Sequence, residues 1–476
     1  MSAPATPITG GDPNIEEPSR PGTSMKYLGG RPYRQYLVAC IIAGAFLFMN
    51  YSALPSILLP NQIQTIELQH FFAAYPQVTA DVLQQLSGGT YAGADAAELT
   101  EVYNQYNAAR AASMSFVASI GTFFTMFAQP IVGVISDRWR SRWGRRSFWI
   151  AFGGFAGALM MIAMRFSTTV GMIAVTWVIA QVLLNFMQAP LTTTVADRIK
   201  EDKLATVSAI SGMGTMGGAM LGSIIAGNAF NALGLNAYYI FVVLTAFGAA
   251  LFVLMAKDRS SLDLHLPPFS WKDFALGFTI ALRDADYRWV WLARFVSMLG
   301  ATLTTTFSLF VLQSYVQPAL TQAEANTYAT LLSMCSLPGM LISMIVSGKL
   351  SDRIGRRKVF VIGSTVATMA LLMLPILWPT LPSLFIQTTL NGFALGAFMT
   401  VDQALFIDVL PDKEAAGRDL GVANVATNIG QTLAPVLAGV IVAQIVGPAG
   451  YRAIYIAAFI CMVVAALAIV PVKKVK

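Results

Sequence analysis

The sequence has few charged residues for its size. Aspartate, glutamate, lysine and arginine make up 12% of its 476 residues, whereas a soluble globular domain carries about 25%. Hydrophobic residues make up 56%, and the mean hydropathy is +0.62. This composition excludes an ordinary soluble protein and predicts a chain that crosses a membrane many times.

Cysteine and histidine are also scarce. Cys40, Cys335 and Cys461 all fall within apolar runs, where cysteine behaves as a small hydrophobic residue, so we expect no disulfide framework. His70 and His265 lie outside those runs and lack the spacing of metal ligands. We therefore expect no histidine proton relay, no metal and no other cofactor. The sequence shows no nucleophile–base pair, so it does not indicate an enzyme.

Apolar runs of about 20 residues, long enough to cross a bilayer, follow one another from Tyr36 onward. They predict an all-α membrane protein with twelve transmembrane helices. The predicted spans are 36–59, 111–136, 148–166, 170–195, 205–229, 237–256, 290–315, 326–350, 358–377, 381–410, 418–446 and 450–470.

One basic phrase occurs twice. It reads GVISDRWRSRWGRRSFWI from Gly133 to Ile150 and GKLSDRIGRRKVF from Gly348 to Phe360. Each copy lies between two apolar runs, and the copies begin about 215 residues apart, which indicates two similar halves. We therefore predict two pseudo-symmetric bundles of six helices.

The lysines and arginines predict the orientation. Most of them fall in loops on one side of the predicted bundle, and Arg110, Arg165 and Arg452 are the exceptions. Because basic loops stay on the cytoplasmic side, both termini are expected there, with the chain in the plasma (inner) membrane. The net charge of +7 then reflects orientation, and no nucleic-acid partner is expected.

The segments between the spans complete the predicted organisation. Residues 1–30, rich in proline, glycine, serine and threonine, are predicted to be a disordered cytoplasmic tail. Residues 31–256 form the N-terminal bundle, 257–289 a cytoplasmic linker and 290–476 the C-terminal bundle. An acidic extracellular insertion, 60–110, is predicted to cap the first two helices, and a lid that gates the substrate is the alternative.

Polar residues recur at helical spacing within several spans, most clearly on the fourth. In hydrocarbon a polar side chain is unfavourable unless it faces a partner or water, so these stripes predict an interior cavity. Neutral amides beside aromatic rings suit an uncharged ligand with many hydroxyl groups. Packing between helices is the alternative for each residue. The predicted substrate-binding residues are Asn50, Gln129, Trp177, Gln181, Asn185, Gln188, Asn391, Asn424, Asn428 and Gln431.

The twelve-span layout and the phrase G-x-x-S-D-R…G-R-R resemble the major facilitator superfamily over residues 30–470. The longer first copy, D-R-x-R-x-R-x-G-R-R-x-x-W, is similar to the glycoside–pentoside–hexuronide cation symporters and the sucrose–proton symporters. The resemblance implies a substrate bound at mid-membrane between two halves that rock. Melibiose-type members carry acidic residues within the second and fourth spans that bind sodium or a proton. Here Gln129, Gln181 and Asn185 occupy those spans, so we do not expect sodium coupling.

The resemblance also implies a cytoplasmic latch that holds the outward-open state. Asp137 and Asp352 would cap neighbouring helix ends and pair with loop arginines. The alternative is that the arginines only set the topology, but this does not explain why both aspartates recur in register. The implied latch residues are Asp137, Arg138, Arg145, Arg146, Asp352, Arg353, Arg356 and Arg357.

Asp402 is the carboxylate predicted to lie deep within a span. It precedes Asp408 by six residues, which places it about 9 Å deeper on a helix rising 1.5 Å per residue. An intramembrane acid is a candidate for proton transfer, so we predict that Asp402 and Arg294 couple transport to protons. A purely structural ion pair between them is the alternative.

The sequence thus predicts a monomeric secondary active transporter that moves a small neutral polyhydroxylated solute, a sugar or glycoside, through the lipid bilayer by proton symport. Two alternatives of other kinds remain open. One is an efflux antiporter of amphipathic compounds, which the methionine and aromatic content would tolerate. The other is a membrane sensor that keeps the fold without transport.

Overall fold

The computed structural model describes residues 15–16, 24–263, 282–409, 416–445, 447–473 and 475. A π-helical turn, Leu54–Leu58, joins the first two helices, and a 3-10 turn, Gly234–Ala237, joins the seventh to the eighth. The helices are α1 (Gly30–Ala53), α2 (Leu59–Phe72), α3 (Ala80–Gly88), α4 (Ala96–Arg138), α5 (Ser147–Arg165), α6 (Val170–Arg198), α7 (Glu201–Leu233), α8 (Tyr238–Met255), α9 (Ala285–Thr306), α10 (Ser308–Ser314), α11 (Gln322–Ile354), α12 (Arg357–Leu377), α13 (Leu381–Val409), α14 (Ala416–Gln444) and α15 (Pro448–Ile469).

Local sequence signals set several helix ends. Thr169 caps α6 by accepting a hydrogen bond from the backbone nitrogen of Met172 at 3.2 Å. Thr321 and Glu324 form a capping box at the start of α11. That helix ends at Gly355, whose φ of +66° is a left-handed conformation that glycine adopts without strain. These signals start the fourth span at its predicted residue and place both ends of the eighth span within four residues of its predicted bounds.

Ten helical segments among the described residues are long and apolar enough to cross a membrane, or eleven if α9 and α10, which meet at 47°, form one span. One of these segments, Thr206–Met255, contains both α7 and α8, divided by the turn at Gly234–Ala237. Tyr27 pairs with Ile199, just before α7, and also donates a hydrogen bond to the carbonyl of Lys257, just after α8. The start of α7 and the end of α8 therefore lie at the same end of the bundle, so the chain reverses at this turn. Counting α7 and α8 separately, and α9 with α10 as one span, gives the predicted twelve spans.

Small residues let one pair of helices in each half approach closely. Gly218 and Gly222 of α7 lie against the α1 backbone so closely that an added Cβ would collide with it. Gly392 and Gly396 of α13 contact the α11 backbone in the same way. Glycine makes such close approaches possible in membrane helices.

The segment predicted as an insertion is largely a continuation of the first two spans. The first span continues through the π-helical turn into α2, and the second begins at Ala96, fifteen residues before its predicted start at 111. Between them, α3 is capped by Thr79 and ends at Gly89, with φ of +66°. A small apolar cluster holds these parts together, namely Phe72, Leu86, Leu99, Tyr103 and Tyr106. We call this region the cap.

The described part of the N-terminal tail is ordered, which corrects the prediction of disorder for those residues. Ile15–Glu16 pairs antiparallel with Lys26–Tyr27. Tyr27 is buried, stacks on Tyr36 with ring centroids 5.2 Å apart and donates a hydrogen bond to the backbone carbonyl of Lys257 at 2.6 Å. Pairing and aromatic burial therefore fix a segment whose composition alone indicated disorder.

The linker is described at both ends, while 264–281 lies outside the described residues. Ser261 donates a hydrogen bond to the carbonyl of Trp139 at 3.0 Å, so the linker begins against the loop between α4 and α5. At the other end α9 starts at Ala285, five residues before the predicted 290.

The two halves contact each other mainly through α4 with α14 and α7 with α11. We call the end of the bundle near Tyr27 and Lys473 the termini side, and the opposite end, which carries the cap, the cap side. The described hydrogen bonds between the halves lie towards the cap side, for example from Asn61 to Asn326 at 2.7 Å and from Arg110 to Gln313 at 3.0 Å. The halves are therefore joined at the cap side in this conformation.

Candidate functional site

The polar stripe of the fourth span is largely buried between helices. Trp177 lies over Gly121 of α4, where an added Cβ would collide with the indole. The side chain of Gln181 is also buried. The indole nitrogen of Trp177 has no hydrogen-bond partner among the described residues, so α4 and α6 enclose an unused donor.

Farther along the same helix, Asn185 is fully buried and Gln188 is half-buried. The Asn185 amide nitrogen donates to the carbonyl of Gln181 at 2.8 Å, and its oxygen has no partner within the described part of the chain. A buried polar atom without a partner is unfavourable, which distinguishes this stripe from ordinary helix packing.

Asn50 contacts a neighbouring helix through its amide nitrogen. Its amide nitrogen donates to the carbonyl of Phe46 and to the hydroxyl of Thr245, both at 2.7 Å. This joins α1 to α8 within the N-terminal half. Its amide oxygen is buried without a described partner, as that of Asn185 is.

The remaining predicted binding residues lie on α4, α13 and α14. Gln129, Asn391, Asn428 and Gln431 are half-buried, and Asn424 is exposed. The amide oxygen of Asn391 is buried and has no described partner. The amides of α4 and α14 lie on the helix pair that joins the halves.

Arg294 and Asp402 form a buried ion pair within the C-terminal half. The Nε and one terminal nitrogen of Arg294 lie 2.6 and 2.5 Å from the same oxygen of Asp402. Arg294 also donates to the Gln403 side chain at 3.1 Å and stacks on Phe406, 4.1 Å from the ring centroid. The second oxygen of Asp402 has no described hydrogen-bond partner. Gln403 and Phe406 were not predicted to belong to this site.

The predicted latch in the N-terminal half centres on Arg146, which is buried. Its guanidinium contacts Asp137 at 2.5 Å, Asp197 at 3.0 Å and the Ser136 hydroxyl at 2.6 Å. Arg145 pairs with Asp197 as well, at 2.8 Å. Asp137 is thus paired with a loop arginine as expected, although it lies near the C-terminal end of α4 and caps no helix start.

Asp197 was not among the predicted latch residues. Its side chain is 16% exposed and that of Asp137 is 51% exposed, so Asp197 is the better-buried partner. The contact joins α6 to the loop between α4 and α5, entirely within one half.

The second copy of the phrase is built differently. Arg357 pairs with Asp408 of α13 at 2.8 Å and donates to the carbonyl of Ala404 at 2.9 Å. Arg353 and Arg356 are exposed, Arg138 of the first copy is half-buried, and the side chain of Asp352 lies outside the described part. The two copies share sequence but differ in their described contacts.

A buried ion pair on the termini side was not predicted. Arg198 of α6 donates to Asp258 at 3.0 Å and to the carbonyl of Ala256 at 2.7 Å. Nearby, burial raises the pKa of the Tyr27 hydroxyl above its ordinary value, with a smaller opposing effect of Arg198. An arginine directly after the predicted end of the fourth span was the available signal, but nothing in the sequence identified Asp258 as its partner.

On the cap side, amides connect the halves. Asn326 of α11 accepts from Asn61 at 2.7 Å and donates to Asn231 of α7 at 2.9 Å. Gln322 also donates to Asn61, at 2.7 Å. None of these residues was predicted to be functional, since isolated amides near span ends resemble ordinary loop residues.

The comparisons with known proteins agree with this architecture. The family model described as Major Facilitator Superfamily matches residues 36–319 and 290–476. The chain belongs to this superfamily. Its similarity to the MFS transporter asaE of Aspergillus flavus is 31% identity over 127 residues, covering 26% of this chain and 28% of that protein. The chain thus spans well under half of this curated relative.

Two solved structures extend the likeness over nearly the whole chain. The nucleoside transporter NupG is similar with a TM-score of 0.62 and 14% identity, covering 94% of this chain and 100% of that one. A bacterial homologue of the human lysosomal transporter Spinster, in an inward-facing and unoccupied conformation, is similar with a TM-score of 0.59 and 14% identity, over 93% and 97% of the chains. At these identities the likeness establishes the fold, and the family model establishes the superfamily.

Proposed function

We propose that this membrane transporter moves a small neutral polyhydroxylated solute by alternating access, in symport with a proton. The proposal rests on the observation that the charged groups within the spans are paired with each other, while the other polar groups there are neutral amides. Arg294 and Asp402 are paired with each other, whereas the partly buried Gln188, Asn428 and Gln431 are neutral amides. Amides both donate and accept, so they match hydroxyl groups and provide no countercharge for an ionic substrate.

A sugar or glycoside fits this chemistry, and so does a nucleoside, whose ribose is a neutral polyol. The similarity to the nucleoside transporter NupG supports including nucleosides among the candidate substrates. Trp177 and the amides of α6 lie in the N-terminal half, and those of α14 in the C-terminal half. A ligand held by both sets would sit between the halves, where rocking exposes it to each side in turn.

The termini side is assigned to the cytoplasm, because it carries Arg138, Arg146, Arg353 and most other basic residues. With the halves joined at the cap side, the conformation is then inward-facing. The ion pairs of Arg146 and Arg357 each stay within one half. This is the arrangement expected of a latch that is open on the cytoplasmic side. In the outward-open state, these arginines would instead contact the opposite half.

Asp402 is the proposed proton carrier. Its carboxylate is buried, one oxygen is held by Arg294, and the other has no described partner. Protonation would weaken the pair with Arg294 and allow α9 and α13 to shift, which would link proton binding to the transport cycle.

The test uses purified protein in proteoliposomes with radiolabelled monosaccharides, disaccharides and nucleosides, with and without an inward proton gradient. Accumulation of one neutral solute above equilibrium, only with the gradient, supports the proposal. Export of lipophilic cations instead would indicate the efflux antiporter. Binding without flux would indicate the sensor.

A further inference from the structure

A groove lies between α12 and α13 on the outer face of the C-terminal half. Its volume is about 600 Å³, within the range of pockets that hold small organic ligands. The lining includes Phe360, Gly363 and Ala367 of α12 with Leu390 and Ala397 of α13. The main contacts of α12 are with α13 and α15 of its own half, whereas the halves meet through α4 with α14 and α7 with α11. The groove therefore faces the lipid and not the space between the halves.

The lining of the groove is apolar. Among the described lining residues, Ser364 alone has a polar side chain, and its hydroxyl donates to the carbonyl of Val361 in its own helix at 3.0 Å. Val359 and Leu390, which also line the groove, are 58% and 47% exposed. A neutral polyol would lose its hydrogen bonds with water here and gain none, so the groove suits hydrocarbon and is distinct from the proposed substrate site.

The repeated phrase allows the groove to be compared with the N-terminal half. Arg146 pairs with Asp197, and 51 residues separate them. Arg357 and Asp408 pair across the same separation in the C-terminal half. Because both members of each pair match, the pairs define one register, which relates α12 to α5 and α13 to α6.

In this register, the N-terminal half has aromatic rings where the groove has small residues. Gly363 corresponds to Phe152, and an added Cβ at Gly363 would meet no atom within 4 Å. Ala397 corresponds to Phe186. The ring centroids of Phe152 and Phe186 are 5.9 Å apart, and Trp149 stacks on Phe186 at 4.9 Å, so these rings pack α5 against α6. The groove is therefore a feature of one half, formed where two rings are replaced by small residues.

An exposed arginine lies at the termini-side end of the groove. Arg356 directly precedes α12, and the lining residue Val359 follows within one helical turn. The corresponding arginine of the N-terminal half, Arg145, pairs with Asp197 at 2.8 Å. Arg356 is exposed and belongs to no ion pair in the described structure. A free cation at the membrane surface attracts the headgroups of anionic lipids.

The groove matches one leaflet in length. Its lining on α12 runs from Val359 to Leu371, which is about 18 Å on a helix rising 1.5 Å per residue. One leaflet contributes about half of a hydrocarbon core of about 30 Å. We propose that the groove binds an acyl chain of an anionic phospholipid from the termini-side leaflet, with the headgroup on Arg356. The chain fills the space that Phe152 and Phe186 fill in the other half.

The test is lipid binding to the purified full-length protein in detergent, measured by native mass spectrometry. The protein is titrated with dioleoyl phosphatidylglycerol or dioleoyl phosphatidylcholine, which have the same acyl chains and differ in headgroup charge. The wild type should bind phosphatidylglycerol about fivefold more tightly, the contribution expected from one arginine near the membrane surface. Equal affinity for the two lipids would overturn the proposal.

Two charge variants test the headgroup contact. Arg356→Gln should bind both lipids with equal affinity. Arg142→Gln is the matched control, because Arg142 is an exposed arginine of the first copy of the phrase, in the N-terminal half. It should keep the wild-type preference for phosphatidylglycerol. A preference that persists in Arg356→Gln, or disappears in Arg142→Gln, would place the headgroup elsewhere and overturn the assignment to Arg356.

Three phenylalanine variants test the acyl-chain contact. Gly363→Phe and Ala397→Phe each introduce the ring found at the corresponding position of the N-terminal half, and each should weaken binding of both lipids about tenfold. Val366→Phe is the matched control. It also introduces the corresponding N-terminal residue, at a position that is 42% exposed and does not line the groove, so it should bind lipid like the wild type.

Wild-type binding in both Gly363→Phe and Ala397→Phe would overturn the proposal, as would an equal loss in Val366→Phe. Melting temperatures of the three variants show whether each is folded. The readout is binding alone, so it does not depend on the transported solute or on the role of Asp402.

Discussion

Arg294 holds one oxygen of Asp402 with two of its nitrogens, at 2.6 and 2.5 Å, while the other oxygen of Asp402 has no hydrogen-bond partner in the described structure. Both side chains are buried and both belong to the C-terminal half. The pair therefore combines a fixed contact with an unused acceptor. A purely structural ion pair requires only the fixed contact, whereas a proton carrier also uses the free acceptor oxygen.

Asp402→Asn is expected to abolish gradient-driven accumulation and to retain counterflow exchange, which needs no net proton movement. It should also lower stability by about 3–5 kcal/mol, since it leaves Arg294 buried without a charge partner. Transport and thermal unfolding would be measured on the same preparation. The double variant Asp402→Asn/Arg294→Gln is the control, because it removes the unpaired cation and should recover stability without recovering accumulation. Accumulation in either variant would exclude Asp402 from coupling.

In the N-terminal latch, Asp197→Asn is expected to slow transport more than Asp137→Asn. Asp197 contacts both Arg145 and Arg146 and is largely buried, whereas the exposed Asp137 makes one such contact. An exposed ion pair contributes about 0.2–1 kcal/mol, so the Asp137 variant should change the rate by less than about tenfold. Initial uptake rates of the two variants, corrected for expression, provide the measurement. An equal or larger loss in Asp137→Asn would contradict this ranking.

The sequence predicted the number of spans and the two halves because hydrophobic length and repeated motifs are local properties. The partners of the charged groups are not local. Asp197 lies 51 residues after Arg146, and Asp258 lies 60 residues after Arg198, so both contacts depend on which elements pack side by side. Periodicity on one helix identifies a polar face and does not reveal what covers it. Asn50 illustrates this limit, because its amide is used by Thr245 on a neighbouring helix.

The amides of α6 are expected to separate into binding and structural residues. Gln188 is half-buried, so Gln188→Leu should weaken substrate binding about 2- to 12-fold, the equivalent of one hydrogen bond of 0.5–1.5 kcal/mol, with little change in melting temperature. Asn185 is fully buried, so Asn185→Leu should alter stability as well. Thr176→Val is the matched control, since Thr176 is bonded to its own helix at Met172. Unchanged affinity in Gln188→Leu would remove it from the site.

The final prediction concerns Asn326, which connects the halves at the cap side. It accepts from Asn61 and donates to Asn231, so Asn326→Leu removes two hydrogen bonds that exist only while this side is closed. At 0.5–1.5 kcal/mol each, their loss should raise the ratio of cap-side-open to closed molecules roughly 5- to 150-fold. Thr330, buried where α11 meets α7, is a suitable position for a cysteine that reports this opening.

The measurement is the rate at which a membrane-impermeant maleimide, added from the cap side, labels Thr330→Cys in a background without the three native cysteines. Asn326→Leu should label faster than its parent. Asn228→Ala is the control, because Asn228 is an exposed amide of α7 that donates to its own helix at Ile224. Labelling at the parental rate in Asn326→Leu would show that these amides do not hold the cap side closed. The contact between α4 and α14 would then be the next one to disrupt.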